Sequence, residues 1–323
     1  MAKSYKEWEQ PLIDLEENIA KLRERARREI DPSKRIAIEN LAVEYETRAN
    51  HYIEVMYARL SPWEKVLVAR ADKRPYTQDY ISGCFSDFLP LAGDRRCADD
   101  QAILGGVAKL NGKGVIVLGH QKGRNIQERQ VRNFGYARPE GYRKATRLFE
   151  IAERFKMPVV TFVDTPGADA GVEAESRGIS EAIAASMLKM FELTVPSVSV
   201  IIGEGGSGGA IGIACSSKVL ILEHAIYSVI APEGCASILW RAADRGADAA
   251  KALRLTAQSA LEFGLVDGII DEPKGGAHRD PIEAATSVRE AIISALAGFE
   301  GKSGAEIKAE RYAKFRAMGI FGE

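Results

Sequence analysis

A glycine-rich stretch, "GEGGSGGAIG" (203–212), contains the residue types most suited to chemistry. It follows a run of β-branched residues and precedes a run of small residues, which predicts a turn between a strand and a helix. Glycine leaves the backbone N–H groups of such a turn accessible, because no side chain covers them and because glycine adopts φ values that other residues avoid. Those N–H groups could stabilise an oxygen that gains negative charge during a reaction.

One alternative use of the same glycines is dinucleotide binding. Gly203, Gly205 and Gly208 match the G-x-G-x-x-G spacing of that motif, and Glu223 ends the next predicted strand. An NAD-binding oxidoreductase is therefore one alternative function for the chain. A P-loop is excluded, because no Lys-Ser or Lys-Thr pair follows the glycines.

A second alternative is a serine hydrolase. Gly205, Ser207 and Gly209 match the G-x-S-x-G turn that carries the nucleophile of α/β-hydrolases, and the sequence then supplies Asp267 and His278 in the order of that fold. Each short pattern matches by chance in so glycine-rich a segment, so none selects an enzyme class alone. A non-catalytic scaffold that only docks a partner is also open.

A second turn, "VDTPGADAG" (163–171), also follows a predicted strand and lies one predicted helix upstream of the glycine-rich stretch. Two adjacent strand-end turns could direct two N–H donors at one oxygen. The alternative is that both are ordinary tight turns.

Composition limits the class of protein. The chain has 323 residues, 46% of them hydrophobic and 28% charged, with a net charge of −1. These values predict a globular protein of one large or two smaller domains and disfavour nucleic-acid or membrane-surface binding driven by net charge. The four cysteines and four histidines are scattered, so we expect no metal site and a cytoplasmic protein with reduced thiols. We see no signal peptide and no membrane-spanning run.

The first part of the chain is predicted to be helical. Apolar spacing predicts helices over 11–30 and 33–59. Ser61-Pro62-Trp63-Glu64 then predicts the start of a third helix, with a capping box between Ser61 and Glu64. We therefore expect residues 1–75 to form a helical extension of the main domain.

The middle of the chain alternates between strand and helix patterns. Asn111-Gly112 joins two apolar runs and predicts a hairpin. Strands at 159–164, 197–202, 218–223 and 265–271 are predicted, with helices at 139–157, 175–193 and 282–298 and short helices over 235–263. This alternation predicts an α/β core over residues 76–300, in which strand-end turns carry function, and a helical tail over 301–323.

Eight segments between residues 10 and 315 resemble, in order, the carboxyltransferase alpha-subunit family of bacterial and plastid acetyl-CoA carboxylases. The segment "ALEFGLVDGII" is similar to one that recurs in the wider crotonase superfamily. The eight segments are "RPYTQDYI", "GDRRCADD", "GHQKGR", "RNFGYARPEGYRKA", "AERFKMPVVTFVDTPGA", "GEGGSGGAIG", "SVIAPEGCASILW" and "GGAHRDP".

The resemblance implies a fold, an activity and partners. The fold would be an α/β crotonase-like superhelix of ββα units with an N-terminal helical extension. The activity would be transfer of a carboxyl group from carboxybiotin to acetyl-CoA, giving malonyl-CoA, the first committed step of fatty acid synthesis. The partners would be a carboxyltransferase beta subunit in an α2β2 assembly, the biotin carboxyl carrier protein that bears the biotin, and a biotin carboxylase that uses ATP.

The resemblance also implies that the alpha subunit stabilises the biotin-side oxyanion through backbone amides. The catalytic amides would be those of Gly208, Gly209 and Ala210, with Gly205 and Gly206 shaping the approach and with Gly167 and Ala168 as second-rank candidates. Three basic residues would contact phosphates of the carrier or of CoA, namely Lys122, Arg124 and Arg143. Surface salt bridges are the alternative for the three basic residues. A side chain at position 209 is expected to block the oxyanion without disturbing the core. Asp169-Ala170 replace a Tyr-Pro pair usual in the family.

Overall fold

The computed structural model describes residues 5–319. Its first two helices, α1 (Tyr5–Arg28) and α2 (Pro32–Tyr57), pack against each other and against α3 (Pro62–Ala69). Ser61 and Glu64 form the predicted capping box at the start of α3. The three helices share a small apolar cluster, so they form a helical layer beside the main core.

The remaining elements alternate between strands and helices, as the sequence predicts. The strands are β1 (Ser86–Pro90), β2 (Ile103–Leu110), β3 (Lys113–His120), β4 (Val159–Thr165), β5 (Ser197–Gly206), β6 (Lys218–Leu222), β7 (Ile226–Ser228) and β8 (Gly268–Ile270). The helices are α4 (Thr77–Cys84), α5 (Ile126–Val131), α6 (Pro139–Phe155), α7 (Val172–Ser176), α8 (Ile179–Glu192), α9 (Ser207–Ile211), α10 (Pro232–Trp240), α11 (Gly246–Leu253), α12 (Ala257–Glu262), α13 (Pro281–Ala297) and α14 (Gly304–Arg316).

These strands form one sheet in the order β1-β2-β3-β4-β5-β6-β8, with β7 beside the end of β5. The predicted hairpin joins β2 and β3, and both of its turn residues, Asn111 and Gly112, have positive φ values of 50° and 77°. Such values are typical of the tight turn that suits the twist of a hairpin. From β3 to β6 each strand runs parallel to the next, so their carboxyl ends share one edge.

Strand β5 bends the sheet. Its first part pairs with β6 through 198–201, whereas its last three residues pair with β7. The core lies between this sheet and the helices packed on it, chiefly α4, α6 and α13, with α8 packed against α6. The glycine-rich stretch therefore lies where β5 passes from β6 to β7, beside the carboxyl end of β4.

One expectation about the elements was wrong, and two short elements were not predicted. The helix expected over 175–193 is interrupted, because Gly178 adopts φ +79° between α7 and α8. Short α4 and β1 were not foreseen, since neither has a strong apolar period. No helix between residues 5 and 319 combines the length and apolar character needed to cross a bilayer.

Candidate active site

The two strand-end turns meet at the carboxyl ends of β4 and β5. A Cβ on Gly209 would lie 2.5 Å from the carbonyl carbon of Gly167 and 2.6 Å from the nitrogen of Ala168. A Cβ on Gly206 would lie 2.2 Å from the oxygen of Pro166. These distances allow only glycine, so the two backbones are in direct contact, as expected for turns at neighbouring parallel strands.

The glycine-rich turn leaves two of its three expected amides available. Helix α9 begins directly after β5, and the first N–H groups of a helix have no partner within it. Gly208 and Gly209 are the second and third residues of α9 after its N-cap Gly206, so their N–H groups have no acceptor within the helix, and neither donates to another described residue. Ala210 is the fourth residue, whose N–H makes the first intrahelical bond to the N-cap carbonyl, so its amide is not free. The opposite face of this turn is fixed, since the hydroxyl of Tyr142 donates to the oxygen of Gly209 at 3.1 Å. The site therefore combines free donors with a rigid backbone.

The accessible glycine of this turn is Gly208. It is half-buried, and a Cβ there would find its nearest neighbour, Ile183 Cδ1, at 3.7 Å. Gly209, in contrast, is buried against Gly167. The expectation that a side chain at position 209 would block the oxyanion without disturbing the core was wrong, because that side chain would first strike the neighbouring backbone.

The second turn has fewer free donors. The N–H of Gly167 donates to Thr165 Oγ1 at 3.1 Å, and the N–H of Asp169 donates to the oxygen of Ala137 at 2.9 Å. Between them, Ala168 donates no hydrogen bond to another described residue. Of the two second-rank residues, only Ala168 therefore has an amide available in this conformation.

Asp169 restrains the second turn, at the position where the family usually has a Tyr-Pro pair. Its Oδ1 accepts the N–H of Gly171 at 2.9 Å, and its Oδ2 accepts from Asn133 Nδ2 at 3.1 Å. Arg138 lies 3.5 Å from the same carboxylate. Side-chain hydrogen bonds thus restrain the turn.

A cavity of about 380 Å³ adjoins the two turns at Pro166. Part of its wall is an unusual backbone segment, in which Asn133, Phe134 and Gly135 have φ values of 45°, 55° and 86°. Three consecutive positive φ values are rare and are characteristic of functional positions. The cavity is lined by Arg70, Asp72, Tyr76, Lys122, Arg129, Phe134, Tyr136, Pro166 and Glu204.

Lys122 lies in the wall of this cavity with its charge already paired. Its Nζ is 2.7 Å from Asp164 Oδ1 and 2.8 Å from Glu204 Oε2. Burial lowers the pKa of Lys122, but the two carboxylates outweigh it and raise that pKa above its ordinary value. Burial likewise raises the pKa of Glu204, but Lys122 and Arg70 outweigh it and hold that pKa at about 2. Lys122 and Glu204 are therefore charged near neutral pH.

The other two basic residues are also paired. Arg124 is exposed, forms an ion pair with Asp79 and lies 4.8 Å from the ring centroid of Tyr76 at the cavity. Arg143 pairs with Asp94 at 2.8 Å and with Glu140 at 2.9 Å. The binding role of these residues stays a prediction.

Sequence reasoning missed a buried histidine beneath the turns. His120, at the end of β3, is fully buried and faces backbone groups of Phe162 and Gly209. Burial and the nearby charge of Lys122 lower the pKa of His120 to about 3, so its ring is neutral. Asp164 and Glu204 were missed as well, although a carboxylate at the end of an apolar strand was a visible signal.

The hydrolase triad is not assembled. Ser207 is exposed with φ +52°, as a nucleophile turn would require. Asp267, however, accepts the N–H of Val219 at 2.7 Å and pairs with Lys314 at 2.8 Å, at the opposite end of the sheet. The Nε2 of His278 lies 3.8 Å from Glu9 of α1.

The dinucleotide interpretation lacks its binding crevice. Dinucleotides bind where the strand order of an open sheet reverses, and β3 to β6 follow one another without reversal. Glu223 lies 3.9 Å from Lys65 of α3. The glycine spacing in this chain therefore serves a different backbone geometry.

Comparison with known proteins agrees with the resemblance. A family model described as acetyl co-enzyme A carboxylase carboxyltransferase-like matches residues 5–319. The acetyl-coenzyme A carboxylase carboxyl transferase subunit alpha of Bordetella pertussis is 48% identical over 323 residues, which is 100% of this chain and 99% of that protein.

Solved structures support the expected fold. A Pseudomonas malonate decarboxylase hetero-tetramer in complex with coenzyme A matches with a TM-score of 0.59 at 17% identity, over 74% of this chain and 95% of that chain. Transcarboxylase 12S matches with a TM-score of 0.57 at 22% identity, over 71% of this chain. This chain spans 42% of the transcarboxylase chain. The fold is crotonase-like, as predicted.

Proposed function

The chain belongs to the carboxyltransferase alpha-subunit family of acetyl-CoA carboxylases, and we propose that its two adjoining turns form the oxyanion site for the biotin side of carboxyl transfer to acetyl-CoA. The observation that supports this most is the pair of free amides at Gly208 and Gly209, in the first turn of α9. They occupy one turn, beside a cavity that could admit a ring.

Biotin fits this donor set chemically. Carboxybiotin supplies a carboxyl group on a ureido nitrogen, and negative charge develops on the ureido oxygen as that bond breaks. Each positioned N–H donor contributes roughly 3–4 kcal/mol to stabilising such a charge. The amides of Gly208 and Gly209 would supply these donors, with Ala168 in second rank, whereas the amide of Ala210 is used within α9. They need no reorganisation, because the turn is already held by Tyr142.

The neighbouring glycines would shape the approach to these amides. A Cβ on Gly205 would lie 2.8 Å from Tyr227 Cδ2, so glycine there lets β7 pack against β5. Gly206 similarly allows Pro166 to reach the turn. We propose that Arg124, whose guanidinium lies over the ring of Tyr76 at the cavity, contacts phosphates of a carrier or of coenzyme A.

The proposed site is half of a reaction centre. Carboxyl transfer to a thioester also needs donors for the thioester oxygen, and we assign these to a beta subunit in an α2β2 assembly. The biotin would arrive on a separate carrier protein, and a separate biotin carboxylase would use the ATP. We expect this assembly in the cytoplasm.

Co-expression with the cognate beta subunit tests the proposal. Carboxyl transfer from malonyl-CoA to free biotin is measured for the chain alone and for the complex, with light scattering to give the mass. We expect activity only in the complex. Robust activity of the chain alone, at a mass without a second polypeptide, would contradict the divided site.

Two variants locate the oxyanion site. Gly208→Val places a branched side chain in open space at the amides, and we expect turnover to fall by about 10²-fold or more without loss of assembly. Ser207→Ala is the matched control and should retain most activity. Labelling of Ser207 by a fluorophosphonate, abolished in the Ser207→Ala variant, would instead support the hydrolase interpretation.

A further inference from the structure

Three charged side chains connect the strands that lead into the proposed site. Lys122 follows β3, Asp164 is in β4 and Glu204 is in β5, and we call them the Lys122 cluster. Their side chains are only 14%, 4% and 9% exposed. Lys122 Nζ contacts one carboxylate on each of the two site-bearing strands, at 2.7 and 2.8 Å.

The Lys122 cluster lies where the backbone ladder between these strands is irregular. Val163 pairs with Ile201, and Thr165 pairs with Gly205. One residue separates the paired positions in β4, whereas three separate them in β5. Regular backbone hydrogen bonds therefore do not fix the spacing of the strands at the point where they enter the turns.

Side chains replace the missing ladder bonds. Asp164 Oδ1 accepts the N–H of Glu204 at 2.9 Å as well as the Lys122 ammonium. This carboxylate has room because residue 203 is glycine, whose Cβ would lie 2.4 Å from Asp164 Oδ1. The contact thus depends on Gly203, which lies before the glycines that carry the free amides.

Each carboxylate also lies close in sequence to one of the two turns. Asp164 is three residues before Gly167, and Glu204 is four residues before Gly208. From this geometry we propose that Lys122 is a positioning residue, which sets the separation of the two turns by holding Asp164 and Glu204 together. The proposal rests on the proposed oxyanion site.

This role differs from the phosphate contact expected from the sequence. The Lys122 ammonium is nearly buried and already has two carboxylate partners, so a phosphate would have to displace one of them. Displacement from Asp164 would leave a buried carboxylate without its cation, which is unfavourable, whereas Glu204 also pairs with Arg70 at 2.7 Å. A positioning role uses the contacts as they stand.

Lys122→Met in the complex with the beta subunit tests the proposal. Because the turns would lose their fixed separation, we expect kcat to fall by about 10²-fold, and KM for malonyl-CoA to stay within about twofold. Hydrogen exchange of peptides covering 165–170 and 204–212 should become faster. Lys109→Met is the control, since Lys109 on β2 pairs with the exposed Asp87 of β1.

Asp164→Asn keeps the inference testable if the lysine variant does not fold. This variant retains an acceptor for the Glu204 amide but removes the charge that holds Lys122. We therefore expect kcat to fall and hydrogen exchange of the two peptides to become faster, each by less than in Lys122→Met. A raised KM with unchanged kcat and unchanged exchange would assign Lys122 to phosphate binding and overturn the proposal. Unchanged exchange in both peptides would overturn it whatever the activity. If the wild-type complex transfers no carboxyl group, the proposed function fails, while the exchange comparison still decides whether Lys122 couples the turns.

Discussion

Each end of the parallel strands holds a buried cation, but the two are stabilised differently. At the carboxyl ends Lys122 lies between two carboxylates, which raise its pKa. At the amino ends Arg311 of α14, 1% exposed, donates to the backbone oxygens of Met190, Leu193 and Val195 and to Ser217 Oγ. Burial lowers the pKa of Arg311 to about 10, since neutral acceptors satisfy its donors without offsetting its charge.

The difference indicates what each end does. Carboxylates at the carboxyl ends fix the geometry of two turns whose backbones touch through glycine, as a preorganised site requires. Carbonyl groups at the amino ends attach a helix to the end of α8 and the start of β5. The arrangement predicts that changes at the carboxyl ends act mainly on transfer, and changes at the amino ends mainly on stability.

The largest expected effect is that of Gly209→Ala. The new Cβ would lie 2.5 Å from the backbone of Gly167, which cannot rotate away as a side chain would, so the two turns must separate. We expect carboxyl transfer by the complex to fall by about 10²-fold or more at saturating substrate. Turnover within about twofold of wild type would show that the contact between Gly209 and Gly167 is not needed for carboxyl transfer.

Arg311→Met tests the amino ends of the parallel strands. It leaves the buried oxygens of Leu193 and Val195 without their donor, and we expect the free energy of unfolding to fall by at least about 3 kcal/mol. Urea titration of the complex measures this. Tyr312→Ala, on the exposed face of the same helix, is the control. If Arg311→Met reduced carboxyl transfer as much as Gly209→Ala does, under conditions where the complex is folded, the two ends of the strands would not differ in function.

The acid dependence of stability sharpens the comparison. The pKa of Glu204 is depressed from an ordinary value of 4.5 to about 2, so its stabilising contribution is complete above the unfolded pKa and is lost as pH falls toward the folded pKa. We expect the stability difference between wild type and Glu204→Gln to shrink by about 1 kcal/mol from pH 5.5 to pH 3.5. A difference independent of pH in that range would mean that Glu204 contributes through packing rather than charge.

The smallest effect is expected from Gly298→Ala, the same substitution as in the first prediction at an unconstrained position. Gly298 ends α13 with φ −63°, and a Cβ there would meet only Ala295 O at 3.5 Å. Alanine has fewer conformations than glycine in the unfolded chain, so the free energy of unfolding should rise by about 0.5 kcal/mol. Carboxyl transfer should be unchanged. Loss of stability would show that this helix end needs glycine.

Local features were predictable because they depend on residues near in sequence. The capping box at Ser61 and Glu64 and the hairpin at Asn111-Gly112 form as expected. The contact of the two turns was also predictable, since neighbouring parallel strands end at one edge of a sheet. The boundaries at residues 75 and 300 stay predictions.

The sequence by itself determined the alternation of strands and helices, the glycine turn and the family resemblance, because periodicity, turn residues and motifs are local properties of the chain. The tertiary structure alone decided that Gly209 faces backbone while Gly208 faces open space, that Lys122 pairs with Asp164 and Glu204, and that Asp267 and His278 lie apart from Ser207. Lys122 and Glu204 are 82 residues apart, and their contact depends on strand register and an irregular ladder. No local pattern encodes that register, because side-chain partners are set by how distant segments pack.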